Sequence, residues 1–161
     1  MSARRAAGGA PVDGTPPGRS AAGASVLEMT IPSDADAIPG VVDAVVGQCA
    51  AHHFSRQACA LNVPVALTEA LANAILRGNR QAADKQVQVR ARVDDAQLVV
   101  EVQDEGEAFD LDECAHDPTT PDRIMREDGR GLFLMRRLMD RVERFDAASH
   151  GNVVRLTLRR A

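Results

Sequence analysis

The stretch Val63 to Leu76, VPVALTEALANAIL, constrains the fold more than any other part of this 161-residue chain. Its only polar side chains are Thr68, Glu69 and Asn73. Apolar residues at this density predict a helix packed on several sides rather than one lying on a surface. Thr68 can satisfy its hydroxyl by bonding back to a carbonyl one turn earlier. Glu69 and Asn73, four residues apart, stand one above the other on a single helix face. A carboxylate and an amide in a near-buried stripe are costly unless something is bound there.

The rest of the chain bounds what that something is. A length of 161 residues suits one domain with a sizeable core and is short for two. A net charge of −4 argues against a duplex nucleic-acid binder, which needs a basic face. Four Phe, no Trp and no Tyr leave little for stacking single-stranded bases. The core must then come from Leu, Val, Ile and Ala. Cys49, Cys59 and Cys114 are widely spaced without a CxxC, which suits free thiols in a reducing cytoplasm. His52 and His53 are the only close histidines, and neighbours in sequence point apart on a helix, which disfavours a metal site there. No apolar stretch is expected to reach the length of a membrane span, and Arg4 and Arg5 are not followed by the apolar run of a signal peptide.

Residues 1–24 are rich in Ala, Gly, Pro and Ser without periodicity, and read as a disordered tail ahead of a domain over 25–161. Val26, Glu28 and Thr30 alternate with Leu27, Met29 and Ile31, the pattern of a strand. Val41, Val42, Val45, Val46, Cys49 and His53 recur at helical spacing, with Pro39 fitting a first turn. For the central helix, Asn62 is the expected N-cap and Gly78 the expected stop. Gln86–Val93 and Gln97–Val102 alternate across Asp94-Asp95-Ala96, so a hairpin is expected. A polar stretch from Asp104 to Gly131 follows, long enough to be functional. A helix is expected from about Leu132 to Arg141, and strands over Val142–Ala147 and Asn152–Leu158, turning at His150-Gly151. The order β-α-α-β-β-loop-α-β-β implies an α+β fold, a two-layer sandwich whose mixed, mostly antiparallel sheet carries its helices on one face.

Three segments carry chemistry. A hydrated magnesium ion bearing nucleotide phosphates would satisfy Glu69 and Asn73, although the pair alone equally fits a helix that happens to hold two polar residues. DEGEAFD, Asp104 to Asp110, follows a strand. A carboxylate at a strand end accepts a bond from an exocyclic amine, and Gly106 admits a flat ring close to the backbone; an ordinary acidic turn has the same composition. GRGL, Gly129 to Leu132, is expected just ahead of a helix, where backbone amides and the helix dipole attract phosphate and Arg130 adds a guanidinium. A flexible helix start would look alike.

In combination and order the three are specific. EALANAILRGN resembles the N-box of the GHKL ATPase superfamily, DEGEAFD its first glycine box and GRGLFLMRRLMD its second. The single-domain form is most similar to bacterial anti-sigma factors with serine-protein kinase activity, over roughly Ser25 to Arg160. The resemblance implies the Bergerat-type sandwich, ATP and Mg²⁺ as cofactors, Asn73 as magnesium ligand and Glu69 as general base. It implies that Asp104 reads the adenine amine and that Gly106, Ala108 and Phe109 line the first box. Gly129, Arg130, Gly131 and Leu132 form the second box, with an ATP lid between. Ala108 stands where the family has a glycine, Arg77 where relatives often have His, and Asn152 where Thr is common; Arg77 and Asn152 are still counted among the nucleotide contacts.

The function implied is a cytoplasmic regulatory kinase. It would phosphorylate a serine on an anti-anti-sigma antagonist of STAS type, and sequester a sigma factor or other response regulator, with homodimerisation possible and neither nucleic acid nor membrane as partner. Two other readings remain open: a non-catalytic, ATP-dependent partner-switching module, and a detached catalytic domain of a histidine kinase.

Overall fold

Alternating side chains build the sheet that supports the site. The computed structural model describes residues 23–106, 127–147 and 151–161. Five strands, β1 (Ser25–Pro32), β2 (Gln86–Val93), β3 (Gln97–Gln103), β4 (Arg141–Asp146) and β5 (Asn152–Arg159), lie in the order β1-β2-β3-β5-β4. All four pairings are antiparallel. Every second residue faces the core: Leu27, Met29 and Ile31 on β1, Val87, Val89, Ala91 and Val93 on β2, Leu98, Val100 and Val102 on β3, and Val154, Leu156 and Leu158 on β5. The opposite parity carries charges, among them Arg90 paired with Glu28 at 3.1 Å and Arg155 with Glu101 at 2.7 Å. In the β2–β3 turn the Asp94 carboxylate accepts from the amides of Ala96 and Gln97, at 2.8 and 2.9 Å, which closes the expected hairpin.

Helices α1 (Ile38–Ala51), α2 (Ala58–Gly78) and α3 (Glu127–Leu138) supply the other layer. The core joins Val41, Val45 and Cys49 of α1, Leu67, Leu71 and Ile75 of α2, and Leu132 and Met135 of α3 to the inner face of the sheet. Helix α2 packs against both α1 and α3 and also meets β5, which is why its sequence is apolar nearly all round. The two-layer α+β sandwich is the architecture expected.

Several local expectations change. Asn62 does not cap α2, because the helix begins earlier: the Ser55 hydroxyl accepts from the Ala58 amide at 3.1 Å. A π-turn over Ala58–Asn62 leads into the α-helical Val63–Asn73, and a second over Ala74–Gly78 ends the helix. Those extra turns make α2 a 21-residue helix, long and apolar enough to cross a membrane by length and composition, contrary to expectation. Its neighbours and buried face make it the core helix here. Thr68 is solvent-exposed, so its hydroxyl needs no backbone partner. His53 lies beyond α1 with φ of 61°, not on the helix face. Helix α3 starts at Glu127 and stops at Leu138, so both glycines of GRGL lie within it, and Arg141 already belongs to β4. The apolar face of Leu132 and Met135 packed on the core outweighs the helix-weakening glycines.

Candidate nucleotide site

Two clusters form at the C-terminal half of α2. The first joins α2 to α3. Glu69 and Asn73 are half-buried on α2, and Gly131 of α3 lies directly against them. A Cβ on Gly131 would sit 2.6 Å from Glu69 Oε2 and 3.9 Å from Asn73 Nδ2. The bare glycine leaves the Glu69 carboxylate room to stand where α3 crosses the carboxylate–amide pair. Because α3 begins at Glu127, its free amides belong to the first turn, which includes Gly129. The Gly131 amide is spent on the helix ladder instead. Arg130 is exposed on that turn, whereas Leu132 is 1% exposed and belongs to the core.

The second cluster gathers round Asp104, at the end of β3 and only 3% exposed. Its Oδ1 accepts from the Gly106 amide at 2.9 Å, the Asn152 amide at 3.1 Å and Asn152 Nδ2 at 3.0 Å. The backbone reciprocates, Asp104 N–H donating to the Asn152 carbonyl at 2.9 Å. Oδ2 lies where Gly78 has no side chain, since a Cβ on Gly78 would fall on that carboxylate. Three donors thus hold one oxygen and aim the other at the end of α2. Gly106 closes on the Gly78 carbonyl with no room for a Cβ, and Gly151, at φ +108°, closes likewise on the Asp104 carbonyl. Arg144 of β4 donates to Asn152 Oδ1 and pairs with Asp146 at 3.0 Å. That contact turns the Asn152 amide so that its NH₂ faces Asp104.

The structure therefore brings Glu69, Asn73 and Gly131 together, and Asp104, Gly106 and Asn152 together, both along α2. Arg77 is half-buried in the last turn of α2 between them. Ala108, Phe109 and all of the expected lid, Asp110 to Asp128, except its last two residues lie outside the described residues, as do residues 1–22; Glu127 and Asp128 begin α3. Sequence reasoning missed Asn79 and Arg144; Gly78 does end α2 as expected, but its close contact with Asp104 was missed. Its residue type was visible, but no spacing rule connects Gly78 with a carboxylate 26 positions later.

The site fits a magnesium-bound adenine nucleotide on the chemistry of its groups. An amide and a carboxylate offer the oxygen donors a hard cation takes, and Asp104 presents a buried acceptor beside backbone stripped of side chains.

Comparison with known proteins follows the same lines. A family model described as "Histidine kinase-like ATPase domain" matches residues 31–158. The chain is 30% identical to "Serine-protein kinase RsbW" of Bacillus subtilis over 124 residues, 74% of this chain and 77% of that protein. It is 31% identical to the protein of the same name from Bacillus velezensis over 122 residues, 73% and 76% of the two chains. It is also 29% identical to "Anti-sigma F factor" of Bacillus thuringiensis over 96 residues, 59% and 66% respectively.

Proposed function

The chain belongs to the histidine kinase-like ATPase family, and on that premise we propose that it is a cytoplasmic, Mg²⁺-ATP-dependent serine-protein kinase that controls a sigma factor by partner switching. Its substrate would be a serine on a small anti-anti-sigma antagonist of STAS type, and its alternative partner a sigma factor or similar regulator held inactive. The names of the relatives support the choice of partners. The observation that supports the chemistry is the packing of Gly131 on Glu69 and Asn73, a carboxylate and an amide side by side beneath α3.

Magnesium-bound ATP supplies the phosphoryl group and neutralises its charge. The chain's own residues supply position. Asn73 holds the metal, and the free amides of the first turn of α3 with Arg130 face phosphate. Asp104 Oδ2 accepts from the adenine amine. Glu69 takes the proton of the incoming serine hydroxyl, and Gly131 keeps space open beside its Oε2.

The test uses labelled ATP, a cognate antagonist and Glu69→Gln, which keeps size and polarity. General-base catalysis contributes about 10²–10⁴-fold, equivalent to roughly 3–5 kcal/mol of barrier. Transfer should slow by that factor while nucleotide affinity by calorimetry stays within a few-fold. Equal transfer by the variant would mean the base is misassigned. ATP binding by wild type without transfer to any antagonist would favour a non-catalytic binding module.

A further inference from the structure

Asn79 is fully buried, at 0% exposure, one residue past the end of α2. Every hydrogen-bonding group it owns is engaged. Its amide donates to the Ala74 carbonyl at 2.8 Å, and its carbonyl accepts from the Ala82 amide at 3.0 Å. Its two Nδ2 protons go to Ser33 Oγ at 2.8 Å and to the Gln86 carbonyl at 2.9 Å. Its Oδ1 accepts from the Glu105 amide at 2.7 Å.

These partners differ in kind. Ser33 directly follows β1 and donates its hydroxyl to the Lys85 carbonyl at 2.9 Å, and Gln86 opens β2, so both belong to the frame of the sheet. Glu105 belongs to the turn that carries Asp104 and Gly106, and its own carboxylate accepts from the Gln86 amide at 2.6 Å. The Asn79 amide therefore fastens the turn to the sheet through a side chain anchored at the end of α2. Gly78, next to it, is the backbone on which Asp104 and Gly106 both close. The Asp104 carboxylate has its height over α2 fixed at this joint.

We propose that Asn79 is a positioning residue for purine recognition: it sets where Asp104 stands, and so the preference for adenine over guanine. The inference rests on the nucleotide reading above. Adenine offers an amine donor at C6, where guanine offers a carbonyl acceptor, and an acceptor such as Asp104 Oδ2 discriminates between them only when held in place. Asn73 and Arg130, assigned to metal and phosphate, are not among the hydrogen-bond partners of Asn79 and bind both nucleotides alike. Loosening the turn should weaken ATP binding selectively, whereas general destabilisation would weaken ATP and GTP together.

The experiment measures the affinities of Mg²⁺-ATP and Mg²⁺-GTP for the full chain by calorimetry, in wild type, Asn79→Ala and Ser33→Ala. Losing a buried bond of this kind is worth about one factor of ten, so the ATP/GTP affinity ratio should fall about tenfold in Asn79→Ala. Ser33→Ala removes a single hydroxyl from a half-buried position and one of the two anchors of Asn79. Its ratio should fall by about threefold, on the low side of a typical single-bond loss, which tests the proposal even if Asn79→Ala fails to fold. A wild type preferring ATP, with the ratio unchanged in the folded variants, would overturn this inference alone. A wild type without preference for ATP would overturn the nucleotide reading and this inference with it.

Discussion

Glycines at this site act by absence of a side chain, and each can be judged by what a Cβ would strike. At Gly131 the struck atom is the far end of the Glu69 side chain, 2.6 Å away. A carboxylate can swing aside at small cost, and Ala is favoured over Gly inside a helix by about 0.5–1 kcal/mol. Gly131→Ala should therefore leave the melting temperature unchanged or slightly raised while displacing the proposed base and slowing phosphotransfer by about tenfold or more, the loss expected of a misplaced general base. A melting curve beside a transfer assay checks both halves, and an active variant would show that the position of Glu69 is not limiting. Gly106 and Gly151 differ, because the atoms in the way are backbone carbonyls that cannot give.

At the scale of elements, the joint between α2 and α3 holds the first cluster together. It includes a polar tie that nothing in the sequence announces: Asn62 Nδ2 donates to the carbonyl of Leu138, the last residue of α3, at 2.6 Å. Terminal carbonyls of a helix lack partners within it, so this side chain caps α3 from a neighbouring helix. Asn62 lies seven residues, about two turns, before Glu69. Asn62→Ala should cost about 1 kcal/mol of unfolding free energy, read in a urea titration, while nucleotide affinity holds. A loss of affinity as large as the loss of stability would mean that the end of α3 is coupled to the site at its start.

For the molecule as a whole, the helix–sheet interface sets a limit in alkaline solution. Cys49 is 0% exposed on α1, and burial first, then the neighbouring Cys59, push its thiol from 9.0 up to about 12. The unfolded chain then loses this proton at lower pH than the folded one. Above pH 9 the folded state binds more protons, so stability falls as pH rises. The contribution is intact below pH 9 and is lost progressively as pH approaches 12. Urea midpoints measured from pH 8 upward should drop over that window in wild type and drop less in Cys49→Ala or Cys49→Val. Identical slopes would assign the alkaline loss to other groups. Both Cys49 and Cys59 are free thiols, and the buried Cys49 should resist alkylation until the chain unfolds.

Periodicity and motif order were enough to determine the layers, the five strands, the hairpin and the family, because alternation and helical spacing are local properties that each segment carries alone. Glu69, Asn73 and Asp104 could also be singled out, since a polar group amid apolar neighbours signals its own cost. Tertiary structure alone decided where α2 and α3 begin. Packing on the core extended α3 back through two glycines, and a serine hydroxyl rather than Asn62 capped the start of α2. It alone decided that Gly78 is a space for the Asp104 carboxylate, and that Asn79 and Arg144 secure the groups around it. Those roles depend on contacts between residues 7 to 48 positions apart. Such contacts have no spacing rule and exist only once the sheet order β1-β2-β3-β5-β4 brings the ends of β3 and β5 beside the end of α2.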